Sequence, residues 1–416
     1  MIHYLKTASM AALCLSFSPL AFAGTDNPYQ SDAELAMVED QPKPEAGQLT
    51  AGDYDDILNP ELFKQYVDKM LQGQLKNKDL PWVDAQNRID IKVVDNQGRD
   101  FPLADVSLKN SGGDKSLALR TSANGMSYLF PIYDDLETGH ILSVSSDDFD
   151  EVQTTLNQDL IENGGLLTIP LDRPRSEIDK LDLLLTIDAT GSMGDELKYL
   201  QVELQSIVDR VEASNPSVDI RHSLVVYRDK GDEYIARDFP FTDDIEAFKK
   251  SLNAQSANGG GDMPEAMHTA MTAGLKMDWR DDALKVNLLV ADAPPHDKDI
   301  AATWESGSIS RSQGIHIVSL SGSGVNKTAE FMMRGMSQMT NGRYLFLTDD
   351  SGIGNAHAEP TVDCYVVTKL DGLVTRVLNS LITGEREEPK PKDIIRSVGN
   401  YQSGVCAIEV QNEDSR

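Results

Sequence analysis

The chain has 416 residues, three cysteines and a formal net charge of −29. That excess of carboxylates argues against nucleic acid and anionic membrane surfaces as partners, because both are polyanions; it suits cation binding and solubility. The length exceeds one ordinary domain, and no stretch approaches the ~18 apolar residues needed to cross a bilayer comfortably.

The first 23 residues carry Lys6, an apolar run from Ala8 to Leu20, and Ala21-Phe22-Ala23. This is the pattern of a cleaved secretory signal. Leu13 before Cys14 is not the small residue a lipoprotein signal requires. The mature protein is therefore expected to be periplasmic or secreted, with no membrane insertion after cleavage.

Residues 24–83 form the next expected segment. It begins polar, acidic and Pro-containing, which predicts a mobile leader up to residue 52. Asn59-Pro60 then reads as an N-cap with Pro at the first helical position. Leu62, Phe63, Tyr66, Val67, Met70 and Leu71 follow at helical spacing. This short amphipathic helix must dock, by default on its own chain.

Residues 84–173 change period. Ile89, Ile91 and Val93 alternate, as do Val106 with Leu108 and Leu117 with Leu119. Turns such as Asn96-Gln97-Gly98 and Ser122-Ala123-Asn124-Gly125 separate them. The segment predicts a small all-β sandwich, with a linker at Pro170 to Pro174.

From residue 178 to 384 strands and helices alternate. Strands are expected at 181–187, 219–227, 285–291, 315–320 and 343–347, and a short antiparallel edge strand at 234–239. Helices are expected from Leu197 onward and at 244–253, 264–276, 299–312, 328–340 and 369–382. Such alternation predicts an α/β fold, a Rossmann-like, doubly wound and mostly parallel sheet.

The chemistry lies at the ends of two of these strands. Leu181 to Ile187 is an apolar run ending at Asp188, followed by Thr190 and Ser192 around Gly191. A hard cation needs several converging oxygens, and open α/β sheets bind ligands at this edge. GGGDMPEA, residues 259–266, is a glycine-rich loop carrying Asp262, with Pro264 at an expected helix start. VNLLVADAPPH, residues 286–296, is a second apolar strand ending in Asp292. Helix capping would account for Asp188, Thr190 and Ser192 alone, but not for Asp262 and Asp292 as well.

With these three segments in order, residues 180–384 resemble the von Willebrand factor A family. The resemblance implies a metal-ion-dependent adhesion site: a D-x-[ST]-x-S loop at Asp188, Thr190 and Ser192, a second loop, and an Asp at 292. It departs in the second loop, where the family usually has Thr and this chain has Asp262. By the same resemblance the ion is Mg²⁺, with Mn²⁺ or Ca²⁺ possible. Thr190 and Ser192 would be direct ligands and Asp188 would act through water. Asp262 would add a third carboxylate, tightening ion retention while repelling an acidic partner group.

The tail, 385–416, begins as a charged linker and ends in an apolar patch, Val405 to Val410, expected to add a strand to one of the sheets. Removal of the signal leaves Cys364 and Cys406. An even pair in an exported chain predicts one disulfide tying the tail to the α/β domain.

Other readings are weaker. GSGVNKT, residues 322–328, imitates a phosphate loop, but Asn326 stands where Gly must precede the Lys. His296, His357 and Glu359 lie in loops able to reach the same sheet edge. The reading favoured by the sequence is an exported, metal-dependent binding protein whose partner is an envelope or extracellular protein. A metal-assisted hydrolase using His296, and a structural scaffold in an envelope complex, are the alternatives.

Overall fold

The computed structural model describes residues 43–110, 112–146, 151–358 and 360–407. The expected signal at 1–23, most of the leader and Glu359 lie outside the described residues.

Strand β1 (Thr50–Asp53) is followed by helix α1 (Pro60–Gln72). Next come β2 (Ile89–Val94), β3 (Asp105–Lys109), β4 (Lys115–Arg120), β5 (Met126–Leu129), β6 (Ile141–Ser145) and β7 (Val152–Thr155). A six-residue helix α2 (Gln158–Asn163) leads to β8 (Gly165–Pro170). The strands β2 to β8 make a sheet of order β5-β2-β8 and another of order β4-β3-β6-β7. Ile89, Ile91 and Val93 from one sheet and Val106, Leu108, Leu142 and Val144 from the other share one core. The alternation seen in the sequence is thus the inward face of a sandwich.

The α/β part runs β9 (Lys180–Asp188), α3 (Leu197–Ser214), β10 (Asp219–Tyr227), β11 (Ala236–Thr242), α4 (Ile245–Asn253), α5 (Met267–Leu275) and β12 (Leu284–Ala291). It continues through α6 (Ile300–Ser312), β13 (Ile315–Ser321), α7 (Lys327–Met339), β14 (Tyr344–Leu347), β15 (Tyr365–Lys369) and α8 (Leu370–Thr383). After these come β16 (Arg396–Val398), β17 (Tyr401–Gln402) and β18 (Val405–Cys406). The main sheet has nine strands in the order β11-β10-β9-β12-β13-β14-β1-β15-β16. Five adjacent strands, β10 to β14 through β9, pair in parallel. Helices α3, α4 and α8 bury Leu200, Phe248 and Val374 on one face. Helices α5, α6, α7 and α1 bury Met271, Trp304, Met332 and Phe63 on the other.

Four expectations are corrected. The segment up to residue 52 is not wholly a mobile leader: β1 lies inside the main sheet, antiparallel to both β14 and β15. A side chain at Gly52 would meet the Phe346 ring at 2.1 Å, so glycine is what lets this strand fit. The α/β domain therefore does not confine its sheet to 178–384, since β1 comes from before the sandwich and β16 from the tail. The expected helix at 264–276 starts at Met267, because Glu265 is held in a parallel bridge with Pro295. Of the apolar patch Val405 to Val410, the described part joins neither large sheet: β18 pairs with β17 in a hairpin of its own, and residues 408–410 lie outside the described residues. Cys364 and Cys406 do form a disulfide, with a Cα–Cα distance of 5.6 Å. The predicted helix α1 docks on its own chain, its Tyr66 ring 6.1 Å from that of Phe331 on α7.

Candidate metal centre at the sheet edge

Strand β9 pairs with β10 on one side and β12 on the other. The chain winds outward from β9 in one direction and then returns to wind in the other. That reversal leaves a crevice at the C-terminal ends of β9 and β12. Asp188 ends β9 and Asp292 directly follows β12, so the topology brings the two carboxylates to one place.

The first loop is tightly built. Asp188 Oδ1 accepts from the Thr190 backbone N–H at 2.9 Å and from Thr190 Oγ1 at 2.6 Å. Thr190 Oγ1 lies 3.2 Å from Ser192 Oγ. Asp188 and Thr190 are fully buried, whereas Ser192 is exposed. The glycine loop packs against this turn. Gly191 N donates to Gly259 O, and Asn258 N to Ala189 O. Gly259 and Gly260 have φ of 80° and 75°, a region that L side chains rarely adopt. A side chain at Gly260 would meet Glu265 Oε1 at 2.8 Å and the Thr190 Cβ at 3.3 Å.

Asp262 departs from the sequence expectation. It is exposed at the tip of the glycine loop, and the buried acid of this segment is Glu265, 3% exposed. The bridge to Pro295 and the hydrogen bond from Glu265 N to Pro294 O fix residue 265 beside the Asp292 loop, which turns Asp262 outward. Glu265 was not singled out from the sequence. The signal was a charged residue after Pro264 at the head of an apolar helix.

Three carboxylates near this edge are therefore buried. Asp188 Oδ2, Asp292 Oδ1 and Glu265 Oε2 are buried and lack hydrogen-bond partners. Burial, tempered by the hydrogen bonds from Thr190 and raised further by Asp229, pushes Asp188 up to about 6. Burial and the charge of Asp188 push Asp292 up to about 7, with the Ser192 hydroxyl acting against them. Glu265 is pushed up to about 9 by burial and by Asp188, Asp229 and Asp292. Carboxylates left unpaired at low dielectric repel protons least and one another most; a cation relieves both costs. The oxygens of Asp188, Thr190, Ser192 and Asp292 are hard donors of the kind Mg²⁺ or Ca²⁺ takes. Among the described residues no group of three or more His, Cys, Asp or Glu side chains is placed to hold a metal ion. The candidate set is thus two carboxylates and two hydroxyls, with Asp262 exposed on the glycine loop rather than buried beside them.

The histidines are engaged elsewhere. His296 Nε2 lies 2.7 Å from Asp229 Oδ1. His357 bridges Glu196 Oε1 at 2.7 Å and Asp349 Oδ1 at 2.8 Å. Burial opposes charge on His357, but the two carboxylates prevail and raise its pKa. In the segment that imitates a phosphate loop, Lys327 Nζ is bound to Glu330 and Thr361, and Asn326 caps α7.

Residues 182–356 match the family model described as von Willebrand factor A domain. This part of the chain is a von Willebrand factor A domain, in agreement with the wound sheet and the order of its motifs. Domains of this family generally serve protein–protein interaction and adhesion, and are usually not enzymes. The chain is 37% identical over 124 residues to an ariadne-like RING finger protein of Acanthamoeba polyphaga mimivirus, covering 29% of this chain and 12% of that protein. It is 27% identical over 120 residues to the alpha-protein kinase vwkA of Dictyostelium discoideum, covering 28% and 19% respectively. These matches span less than a fifth of either relative. Among solved structures, the conserved hypothetical protein BatB of Bacteroides thetaiotaomicron aligns over 48% of this chain and 98% of its own, with 12% identity and a TM-score of 0.35.

Proposed function

We propose that this chain is an exported binding protein. Its A-type domain holds a divalent cation, Mg²⁺ first and Mn²⁺ or Ca²⁺ as substitutes, and engages an envelope or extracellular protein at that edge. The observation that carries this reading is the pair of orphaned, buried oxygens, Asp188 Oδ2 and Asp292 Oδ1, set beside the hydroxyls of Thr190 and Ser192. The bound ion would supply a positive centre able to accept an oxygen from a partner. Asp188 and Asp292 would anchor it, Thr190 and Ser192 would contribute neutral oxygens, and the exposure of Ser192 leaves the site open to a partner. Export is supported by the signal pattern of residues 1–23 and by the Cys364–Cys406 disulfide, which suits an oxidising compartment. Among the described residues no helix is long and apolar enough to cross a membrane.

Calorimetric titration of Mg²⁺ into the protein tests the metal. Heat is expected for wild type and lost in Asp188→Ala; equal heats would overturn the assignment. Affinity capture from envelope extracts, with and without chelator, tests the partner. A partner retained equally under both conditions would remove the cation from the contact.

A further inference from the structure

The segment 352–358, between β14 and β15, holds a histidine outside the candidate ligand set. The side chain of His357 is only 4% exposed. Both ring nitrogens face carboxylates: Nε2 lies 2.7 Å from Glu196 Oε1, and Nδ1 lies 2.8 Å from Asp349 Oδ1. An ionised carboxylate accepts and cannot donate, so both contacts are hydrogen bonds only while the ring carries two protons. The geometry is that of an imidazolium, in keeping with the raised pKa. Glu196 is fully buried at the head of α3, and its other oxygen accepts from Ser323 N at 3.3 Å. The side chain of Asp349 is 65% exposed, and the same Oδ1 also accepts from the His357 backbone N–H at 2.9 Å. Among the described residues the other charges beside the segment are Asp195, which accepts from Asn355 N, and Asp350, which Arg396 holds. The segment lies close against the edge that carries the metal loop. A side chain at Gly354 would meet Glu196 Oε1 at 2.6 Å, and one at Gly322 would meet Glu196 Oε2 at 3.1 Å and the Asp292 Cβ at 3.5 Å.

We propose that His357 is a pH-operated latch that straps residues 352–358 against the flank of the sheet edge, closed in acid and released in alkali. The pKa of the ring in the folded chain lies above 6.5. As pH rises through it, one ring proton leaves to solvent. The proton that stays serves Glu196, which is buried and cannot turn to water. Nδ1 then presents a lone pair to Asp349, and the two repel at hydrogen-bond distance. Asp349 is exposed and swings to water, taking with it the acceptor of the His357 backbone N–H. The two hydrogen bonds to Asp349 thus go together, and the strap loosens beside Glu196. A ring whose pKa is raised by folding lends stability below 6.5 and withdraws it as pH climbs through the raised value. The latch needs no bound cation, so it stands or falls apart from the metal assignment.

The test is hydrogen exchange of the full chain in chelator at about pH 6 and about pH 9, on wild type and Asp349→Asn. Mass spectrometry reads it, with exchange times corrected for the intrinsic pH dependence of the amides. In wild type, peptides covering 352–358 are expected to exchange at least about tenfold faster at the higher pH after correction, with β9 and β12 unchanged. An Asn at 349 can turn either its oxygen or its nitrogen to the ring, so the variant is expected to change by less than about twofold. Equal corrected rates in wild type overturn the latch. So does an acceleration that Asp349→Asn shares in full, which would place the switch in the buried acids of the metal edge. An acceleration that extends to β9 and β12 overturns it as well, being a general loosening of the domain.

Discussion

Two groups of buried carboxylates lie in the same α/β domain under opposite conditions. Near α1 and α7, Asp56 and Glu330 are almost fully buried beside Arg334, itself 1% exposed. Arg334 donates to both oxygens of Asp56, at 2.6 and 3.0 Å, and to Thr361 O at 2.8 Å. Its guanidinium also lies 3.5 Å from Glu330 and 3.7 Å from the Tyr66 ring centre. At the sheet edge, Asp188, Asp292 and Glu265 are equally buried, yet each keeps an oxygen without a partner. The first group answers its own charge and joins the N-terminal helix to the domain. The second keeps unpartnered oxygens, and burial with mutual repulsion raises the pKa of all three acids. Burial alone therefore does not mark a functional site; burial without compensation does.

Breaking the compensated group has the largest expected effect. Arg334→Met leaves Asp56 buried without its cation, while Glu330 keeps Lys327 at 2.8 Å; the expected loss is about 3–5 kcal/mol. Urea melts would show it as an early transition. A loss under about 1 kcal/mol, the range of a surface pair, would mean that water already screens this cluster.

His222 sharpens the comparison from another side. It is buried on β10, stacked 5.2 Å from Phe248, with both ring nitrogens unpartnered. Burial first, then the charge of Lys249, lowers its pKa from 6.5 to about 4. The unfolded chain therefore binds a proton that the folded chain refuses between those values. Stability is complete above pH 6.5 and is lost as pH falls towards 4. Relative to His222→Phe, wild type should lose about 2–3 kcal/mol between pH 7 and pH 4.5. Parallel urea midpoints for the two proteins at both pH values are the check; equal losses would show His222 reached by solvent.

The uncompensated group should respond with the opposite sign to Arg334. In chelator, Asp292→Asn removes a buried charge from beside Asp188. The folded-state pKa of Asp292, about 7, lies above its ordinary 3.8. The folded chain thus keeps a proton that the unfolded chain has already lost. The penalty is full above pH 7 and vanishes as pH falls to 4. Asp292→Asn is expected to stabilise the metal-free protein by about 4 kcal/mol at pH 8, by almost nothing at pH 4, and to abolish Mg²⁺ stabilisation. Destabilisation at pH 8 would show that Asp292 is compensated after all.

The sequence showed much of this architecture and one part of it badly. Periodicity located the parallel strands to within a residue or so, since Leu181 to Ile187 and Leu284 to Ala291 are predominantly apolar runs buried on both faces. It could not locate β1. Thr50-Ala51-Gly52-Asp53 has no alternating pattern, and its partners lie some 300 residues away, at Leu345 to Leu347 and Val366 to Lys369. Such a strand is defined by the slot that receives it. Asp188 and Asp292 were legible because each ends an apolar run. Asp262 was misplaced because spacing along a glycine loop does not say which way the backbone turns, and that turn depends on the bridge between Glu265 and Pro295.

That misplacement gives the smallest and most discriminating prediction. A third carboxylate ligand at position 262 would make Asp262→Thr costly to metal binding and favourable to acidic ligands. The observed exposure implies neither. A charge on an exposed loop tip acts through water, where two unit charges even 4 Å apart interact by only about 1 kcal/mol, and salt weakens this further. Asp262→Thr should therefore change Mg²⁺ affinity by less than about threefold at 0.15 M salt, with the change shrinking at higher salt. Its effect on stability should stay within about 0.5 kcal/mol. Calorimetric titrations at two salt concentrations decide the matter. A tenfold, salt-insensitive loss of affinity would return Asp262 to the ion and require the glycine loop to turn inward when metal binds. A small, screened change would assign the second loop's contribution to Glu265, the acid that burial and the Pro295 bridge keep against the site.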